Sequence, residues 1–200
     1  MEHGTDRLGE VVKHEGAISV EAINVPNSLT LLRILLIPVF VGFLVYGRYE
    51  YALGVLLIAA VTDGLDGTIA RVANKRTKLG AYLDPLADKL LLTSGFITLA
   101  ILHLVPSWVA ILVVSRDLIL LTGTLVARLT EVPVNISPTL LGKGTTLFQL
   151  AYLMLVVVFT ARQMDLLLLQ PLLYVMVAFS AASGFHYLYR GFAQLNAEEA

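Results

Sequence analysis

No cysteine occurs in the 200 residues, so disulfides, thiolate metal sites and thiol nucleophiles are all excluded. Any metal must be held by oxygen or imidazole. Charge is scarce as well: Asp, Glu, Lys and Arg make up 14% of the chain, and 14 basic side chains against 15 acidic ones leave a net charge of −1. Without a basic excess there is nothing to hold a nucleic-acid backbone, and nucleic acid is not an expected partner. The polar N-terminal stretch lacks the apolar core and small-residue cleavage site of a secretory signal, so the first apolar run is expected to be retained. What is abundant is apolar. Hydrophobic residues reach 57% and the mean hydropathy is +0.79, too apolar for a soluble domain of this size. Lipid is the expected solvent.

A bilayer core needs about 20 apolar residues per helix, and six runs of about that length are present: Asn27 to Tyr46, Tyr51 to Ala73, Gly80 to Leu104, Ser107 to Leu129, Pro138 to Ala161 and Leu166 to Tyr189. The joints at Gly47 to Glu50 and Val105 to Pro106 are too short for anything but helical hairpins. The expected fold is therefore all-α, a polytopic membrane protein built as a six-transmembrane-helix bundle. Residues 27–190 form the single bundle domain, 1–26 a cytoplasmic N-terminal tail or interfacial helix, and 191–200 a cytoplasmic tail. Between Asp6 and Asn24, Leu8, Val11, Val12, Ile18, Val20 and Ile23 alternate with charges, a pattern that suits a short helix lying on the membrane surface. Asn27 and Ser28 are candidates to cap the first helix after the break at Pro26. Pro38 and Pro85 are expected to kink their helices or, for Pro85, to occupy an opening turn.

Nine basic residues (Arg7, Lys13, Arg71, Lys75, Arg76, Lys78, Arg128, Lys143 and Arg190) fall on one side of the six-span layout, against Arg48 and Arg162 on the other. The excess marks the cytoplasmic side and places both termini there, in an inner membrane with the site facing the cytoplasm. Trp108, Tyr46, Tyr49, Tyr187 and Tyr189 near span ends read as interfacial anchors. His103 and His186, also near span ends, read as interfacial hydrogen-bonders. The small residues Ala181, Ala182, Ser183 and Gly184 predict close packing of the sixth span, against a neighbouring helix or a second subunit in a homodimer.

The second and third runs carry four aspartates. Positions three, four, seven and eight apart share a helix face, so Asp63, Asp66, Gly67, Ala70 and Arg71 line one stripe, and Gly80, Asp84 and Asp88 line another. A short link makes the two helices antiparallel neighbours, and the stripes are expected to face each other at similar depth. Each aspartate at mid-membrane costs about 2.5–3.5 kcal/mol on insertion scales, and their mutual repulsion would force several to protonate unless something positive is bound. Oxygen ligands alone favour a hard cation, Mg²⁺ or Mn²⁺, with Ca²⁺ as competitor. Two such ions would neutralise four carboxylates, and metal pairs about 3.5–4 Å apart recur in displacements at phosphorus. Gly64 and Gly67 each weaken a helix by about 1 kcal/mol relative to Ala, which a close-approaching ligand would explain. Arg71, one turn beyond Gly67, is placed to grip a phosphate.

These residues match a known signature. The pattern Asp-Gly-x2-Ala-Arg-x8-Gly-x3-Asp-x3-Asp is present in full as Asp66, Gly67, Ala70, Arg71, Gly80, Asp84 and Asp88, with Asp63 upstream, and on these residues the chain resembles the CDP-alcohol phosphatidyltransferases. Eight fixed positions on two helices are far more specific than a lone glycine motif. The resemblance implies that Asp63, Asp66 and Asp84 ligate the metals. It implies that Asp88 is the general base on the acceptor hydroxyl, with a share in metal binding. Asp66, Gly67, Ala70, Arg71 and Gly80 are implied to form the pocket for CDP-diacylglycerol, and CMP would be the leaving group.

For the acceptor, two cations stand out: Arg116 deep in the fourth span and Lys143 near the start of the fifth. The segments from Asn24 to Arg33 and from Asp84 to Lys89 are most similar to the phosphatidylglycerophosphate synthases of the family. That similarity implies glycerol 3-phosphate as acceptor, its phosphate held by Arg116 and Lys143. Where those synthases carry Arg-Glu, this chain has Arg116-Asp117, an order similar to the cardiolipin synthases, whose acceptor is phosphatidylglycerol. Glycerol 3-phosphate is expected first, phosphatidylglycerol second and an inositol phosphate third. A buried Arg116–Asp117 ion pair is the structural alternative, and Lys89 and Arg33 are expected to pair or snorkel rather than to act directly. A cation or proton transporter is the reading from another class. It would need an ionisable path to the far side, and the stretch from Ile97 to Leu102 offers none.

Overall fold

The computed structural model describes residues 25–73, 78–129 and 140–198. Six α-helices occupy them: α1 (Val25–Val45), α2 (Tyr49–Ala73), α3 (Lys78–Ile101), α4 (Ser107–Leu129), α5 (Leu140–Ala161) and α6 (Gln170–Glu198), with a single 3-10 turn at Leu166–Leu169 leading into the last. No strand occurs among the described residues. Each helix coincides with one of the six apolar runs. The expected interfacial helix before residue 25 and the start of the fifth run at Pro138 lie outside the described residues.

Boundaries differ in three places. Helix α1 begins at Val25, so Pro26 sits in its opening turn, where a fixed φ and a missing N–H are tolerated, and Asn27 and Ser28 lie inside the helix rather than capping it. Pro85 lies within α3, beyond the opening turn that starts at Lys78. Helix α6 runs on to Glu198 instead of ending near Tyr189, taking in most of the stretch expected as a tail.

Three joints share one construction. After α1, α3 and α5 the chain passes through a left-handed residue, Gly47 (φ 68), His103 (φ 58) and Gln163 (φ 53). The next amide then bonds back to the carbonyl five residues earlier: Arg48 to Phe43 at 2.8 Å, Leu104 to Leu99 at 2.9 Å and Met164 to Phe159 at 2.8 Å. This closure satisfies carbonyls the helix end would leave open. Glycine adopts the conformation freely, whereas a side chain there costs about 1–2 kcal/mol. Gln163→Gly is therefore expected to stabilise the protein by about 0.5–1 kcal/mol, read from thermal unfolding in detergent. An unchanged or lower midpoint would show that the side chain contributes a compensating contact.

The helices form a ladder of three rows. α1 pairs with α2, α3 with α5, and α4 with α6; the rows are joined through α1–α3 and α2–α5 above, and through α3–α4 and α5–α6 below. Ring contacts mark the pairings: Phe43 with Tyr51 across the first row (5.5 Å), Phe96 with Tyr152 across the second (6.3 Å), and Phe148 with Phe179 between α5 and α6 (4.7 Å). Among the described residues the diagonal pairs, α2 with α3 and α4 with α5 included, have no comparable packing. The ladder thus encloses an upper ring (α1, α2, α5, α3) and a lower ring (α3, α4, α6, α5).

Phe40, Leu44, Leu56, Phe96, Leu99 and Leu153 fill the upper ring and its shared wall. The approach is closest at Gly95, where a Cβ would stand 3.0 Å from the Leu153 methyls and 3.2 Å from Phe40. Outward faces are apolar too. The stretch Leu141–Ala161 of α5 and the stretch Leu166–Tyr187, which takes in the 3-10 turn and the first part of α6, are long and apolar enough to cross a membrane, yet only 33% and 28% of them is buried inside the protein. Such exposed apolar faces are out of place in water and ordinary in lipid. Shorter apolar stretches lie on α1, α2 and α3 at Leu31–Val45, Tyr49–Thr62 and Lys89–Ile101.

Candidate active site

The signature residues fall on two helices that stand diagonally across the upper ring. Asp63, Asp66, Gly67, Ala70 and Arg71 are on α2, and Gly80, Asp84 and Asp88 are on α3. Both helices pack against α1 and α5, so among the described residues they are linked through shared neighbours rather than by an extensive contact of their own. The aspartate side chains, and with them the expected facing of the two stripes, lie outside the described residues. Among the described residues no group of three or more His, Asp or Glu side chains could hold a metal.

The flanking positions are informative. Ala87, between Asp84 and Asp88 in sequence, is fully buried, and Arg33 on α1 is 1% exposed. Sequence reasoning expected Arg33 to pair or snorkel; it is buried on α1, the helix that packs against both α2 and α3. Just before Asp63, the Thr62 hydroxyl is consumed by its own helix, donating to the Ile58 and Ala59 carbonyls at 2.9 and 2.8 Å.

The lower ring holds buried polar contacts in two sets, one joining α3, α4 and α6 and the other joining α5 to α6. Asp117 Oδ1 accepts from Lys89 Nζ of α3 at 2.6 Å and from Arg116 Nη1 at 2.7 Å. Arg116 Nη2 donates to Ser183 Oγ of α6 at 2.9 Å. Gln149 Nε2 of α5 donates to Ser180 Oγ of α6 at 3.4 Å, and Thr145 Oγ1 of α5 donates to the Phe179 carbonyl at 3.1 Å. Arg116 and Asp117 are 5% and 3% exposed and Gln149 is fully buried. Desolvated charges at such depth are tolerated only when paired and hydrogen-bonded.

Arg116 is thus tied into an ion pair with Asp117, the arrangement weighed above as the structural alternative, while Lys143 is exposed near the start of α5. Arg116 is carried by α4 and Lys143 by α5. Of the small residues of α6, Ser183 bonds Arg116 and a Cβ on Gly184 would meet the Arg116 stem at 3.9 Å, while Ala182 is exposed. Gln149 and Ser180 escaped sequence reasoning. Their signal was polarity at mid-span, with Ser180 and Ser183 three apart on one face of an apolar helix.

Comparison with known proteins defines the class. The family model for CDP-alcohol phosphatidyltransferase matches residues 23–182, and the chain belongs to that family. It is 38% identical over 146 residues to a protein of Drosophila melanogaster named "Probable cardiolipin synthase (CMP-forming)", a match covering 64% of this chain and 45% of that one. It is 37% identical over 125 residues to a "Probable phosphatidylglycerophosphate synthase" of Mycobacterium tuberculosis, covering 60% and 58%. Against the CDP-diacylglycerol–glycerol-3-phosphate 3-phosphatidyltransferase of Bacillus subtilis it is 40% identical over 109 residues, covering 47% and 56%. The chain spans about half the length of these relatives.

Proposed function

We propose that the protein transfers the phosphatidyl group of CDP-diacylglycerol to an alcohol, glycerol 3-phosphate first and phosphatidylglycerol second, releasing CMP. The observation that carries this reading is the complete eight-residue signature on α2 and α3 inside a family match over residues 23–182. Six spans in an inner membrane, with the site toward the cytoplasm, belong to the same reading and rest on the one-sided distribution of Lys and Arg.

The residues divide the work by their chemistry. Gly67 and Gly80, having no side chains, leave room for the CDP moiety, and Arg71 offers a planar guanidinium to its phosphates. Asp63, Asp66, Asp84 and Asp88 supply a donor set of carboxylate oxygens alone, which fits Mg²⁺ or Mn²⁺; two such ions, when bound, would neutralise the diphosphate and the departing CMP. Asp88 takes the proton of the acceptor hydroxyl, whose oxygen is a poor nucleophile until that proton is withdrawn. The oxygen forms a bond to the lipid-side phosphorus, the bond to the bridging oxygen breaks, and CMP carries away the electron pair. The Arg116–Asp117 order keeps phosphatidylglycerol as the second acceptor.

The test is CMP release from CDP-diacylglycerol by purified protein, supplied in separate arms with glycerol 3-phosphate or phosphatidylglycerol. One arm is expected to turn over, to stop on chelation and to resume with Mg²⁺ or Mn²⁺. Silence in both arms with metal present would refute the transfer reading, and turnover that survives chelation would refute the metal.

A further inference from the structure

Two consecutive residues of α3 carry charge: Asp88 belongs to the signature, and Lys89 reaches into the lower ring. Lys89 Nζ lies 2.6 Å from Asp117 Oδ1 of α4, and the same oxygen accepts from Arg116 Nη1 at 2.7 Å. The other end of the Arg116 guanidinium donates to Ser183 Oγ of α6 at 2.9 Å. Asp117 and Arg116 are 3% and 5% exposed, so the carboxylate that holds Lys89 is itself fixed between α4 and α6.

Burial of this kind asks for a reason other than stability. A buried ion pair contributes little beyond what well-packed apolar residues of similar volume would, but its bonds are directional, as apolar contacts are not. Direction is what the adjoining stretch of α3 lacks. Among the described residues the large buried side chains of this helix are Leu91, Leu92, Phe96 and Leu99, and on the other side of Asp88 the nearest buried position is Ala87, a single methyl. A methyl group makes few contacts with which to resist rotation of the helix about its axis.

We propose that Lys89 is a positioning residue of the phosphatidyl transfer: its ion pair with Asp117 fixes the rotation of α3, and so the place from which Asp88 meets the acceptor hydroxyl. The inference rests on the transfer reading, in which Asp88 takes that proton. Neighbouring residues of a helix stand about 100° apart around its axis and about 1.5 Å apart along it, so a turn of α3 that carries Lys89 carries Asp88 through the same angle. Side chains end about 5–6 Å from a helix axis, and a rotation of about 10° displaces such an end by about 1 Å. A misplacement of that size is enough to cost about 100-fold in rate, because a general base works only within hydrogen-bond reach of its proton. Lys89 acts here without touching the substrate.

The test is Lys89→Met, which keeps an unbranched stem and removes the ammonium, in the full chain in detergent with CDP-diacylglycerol, Mg²⁺ or Mn²⁺ and the acceptor that wild type uses. Rates are referred to protein that binds a labelled CDP-lipid, so that unfolded chains do not count. The kcat for CMP release is expected to fall about 10- to 100-fold, with KM for CDP-diacylglycerol within about threefold of wild type. Lys89→Arg, which presents a cation to the same carboxylate, is expected to recover most of the loss. Lys89→Gln, shorter and neutral, is expected to lose as much as Lys89→Met and takes its place if the methionine variant does not fold. In an Asp88→Asn background no base remains to be positioned, and adding Lys89→Met is expected to cost less than about threefold further. A merely structural ion pair has no such dependence on Asp88. A kcat within about threefold of wild type in Lys89→Met, or the same loss with and without Asp88, would overturn the positioning role. A raised KM at unchanged kcat would overturn it too, by making Lys89 a binding residue. No CMP release by wild type with either acceptor is a different failure, which removes the transfer reading and the positioning role with it.

Discussion

Asp88→Asn is expected to lower kcat for CMP release by about 10²- to 10⁴-fold, the usual worth of a positioned general base, while CDP-diacylglycerol binding stays within about threefold of wild type. The substitution keeps the side chain's size and one oxygen but removes the ability to take a proton. An unassisted alcohol is a weak nucleophile at neutral pH, so the loss belongs in the chemical step. Equilibrium binding of a labelled CDP-lipid and single-turnover CMP release separate the two effects. If Asp88→Asn turned over within tenfold of wild type, the proton would have to leave by another route, and the role given to Asp88 would be withdrawn. If binding collapsed together with turnover, Asp88 would be acting through the metal sites instead.

Asp117→Leu is expected to destabilise the protein by about 3–5 kcal/mol, because it removes the counter-charge to which the buried Arg116 is paired. The large effect comes from what is left behind rather than from the strength of the bond removed. Replacing Arg116 and Asp117 together, as Arg116→Met with Asp117→Leu, is therefore expected to cost clearly less than Asp117→Leu alone, since Lys89 at 20% exposure can turn its ammonium outward. Denaturation followed by tryptophan fluorescence is suited to the measurement, with one tryptophan in the chain. A double variant as unstable as the single one would mean that the network matters through shape rather than charge.

The helices were legible because each is a continuous apolar run bounded by short polar joints, a pattern with few other readings. Their ends were less so. Pro26 looks like a boundary but is equally at home in a first turn, and the last helix crosses from an apolar into a polar segment near Tyr189, where hydropathy stops reporting on helicity. The signature residues were legible as chemistry, since aspartates in apolar helices demand an explanation by themselves. Partners in space were another matter. Lys89, Asp117, Ser183 and Gln149 come from four helices, and single-sequence periodicity gives the face of a residue without naming what it faces. Arg116 and Lys143 were grouped because both are cations near the active side, and the ion pair of Arg116 with the residue next to it was the reading that periodicity left open. His103 and Gln163 gave no warning of left-handed backbone, because nothing in a histidine or a glutamine announces it.

Both flanks of α3 and α5 are occupied, since the two helices form the wall between the rings, whereas α1, α2, α4 and α6 each border a single ring. A change of side-chain volume on the inner face of an outer helix can be absorbed by that helix shifting outward into fluid lipid. The partition has no such freedom: a shift that relieves one compartment intrudes on the other, so strain introduced at the seam between Gly95 and Leu153 would be felt by the helices that carry the aspartates and by the buried ion pair of Arg116 and Asp117 alike.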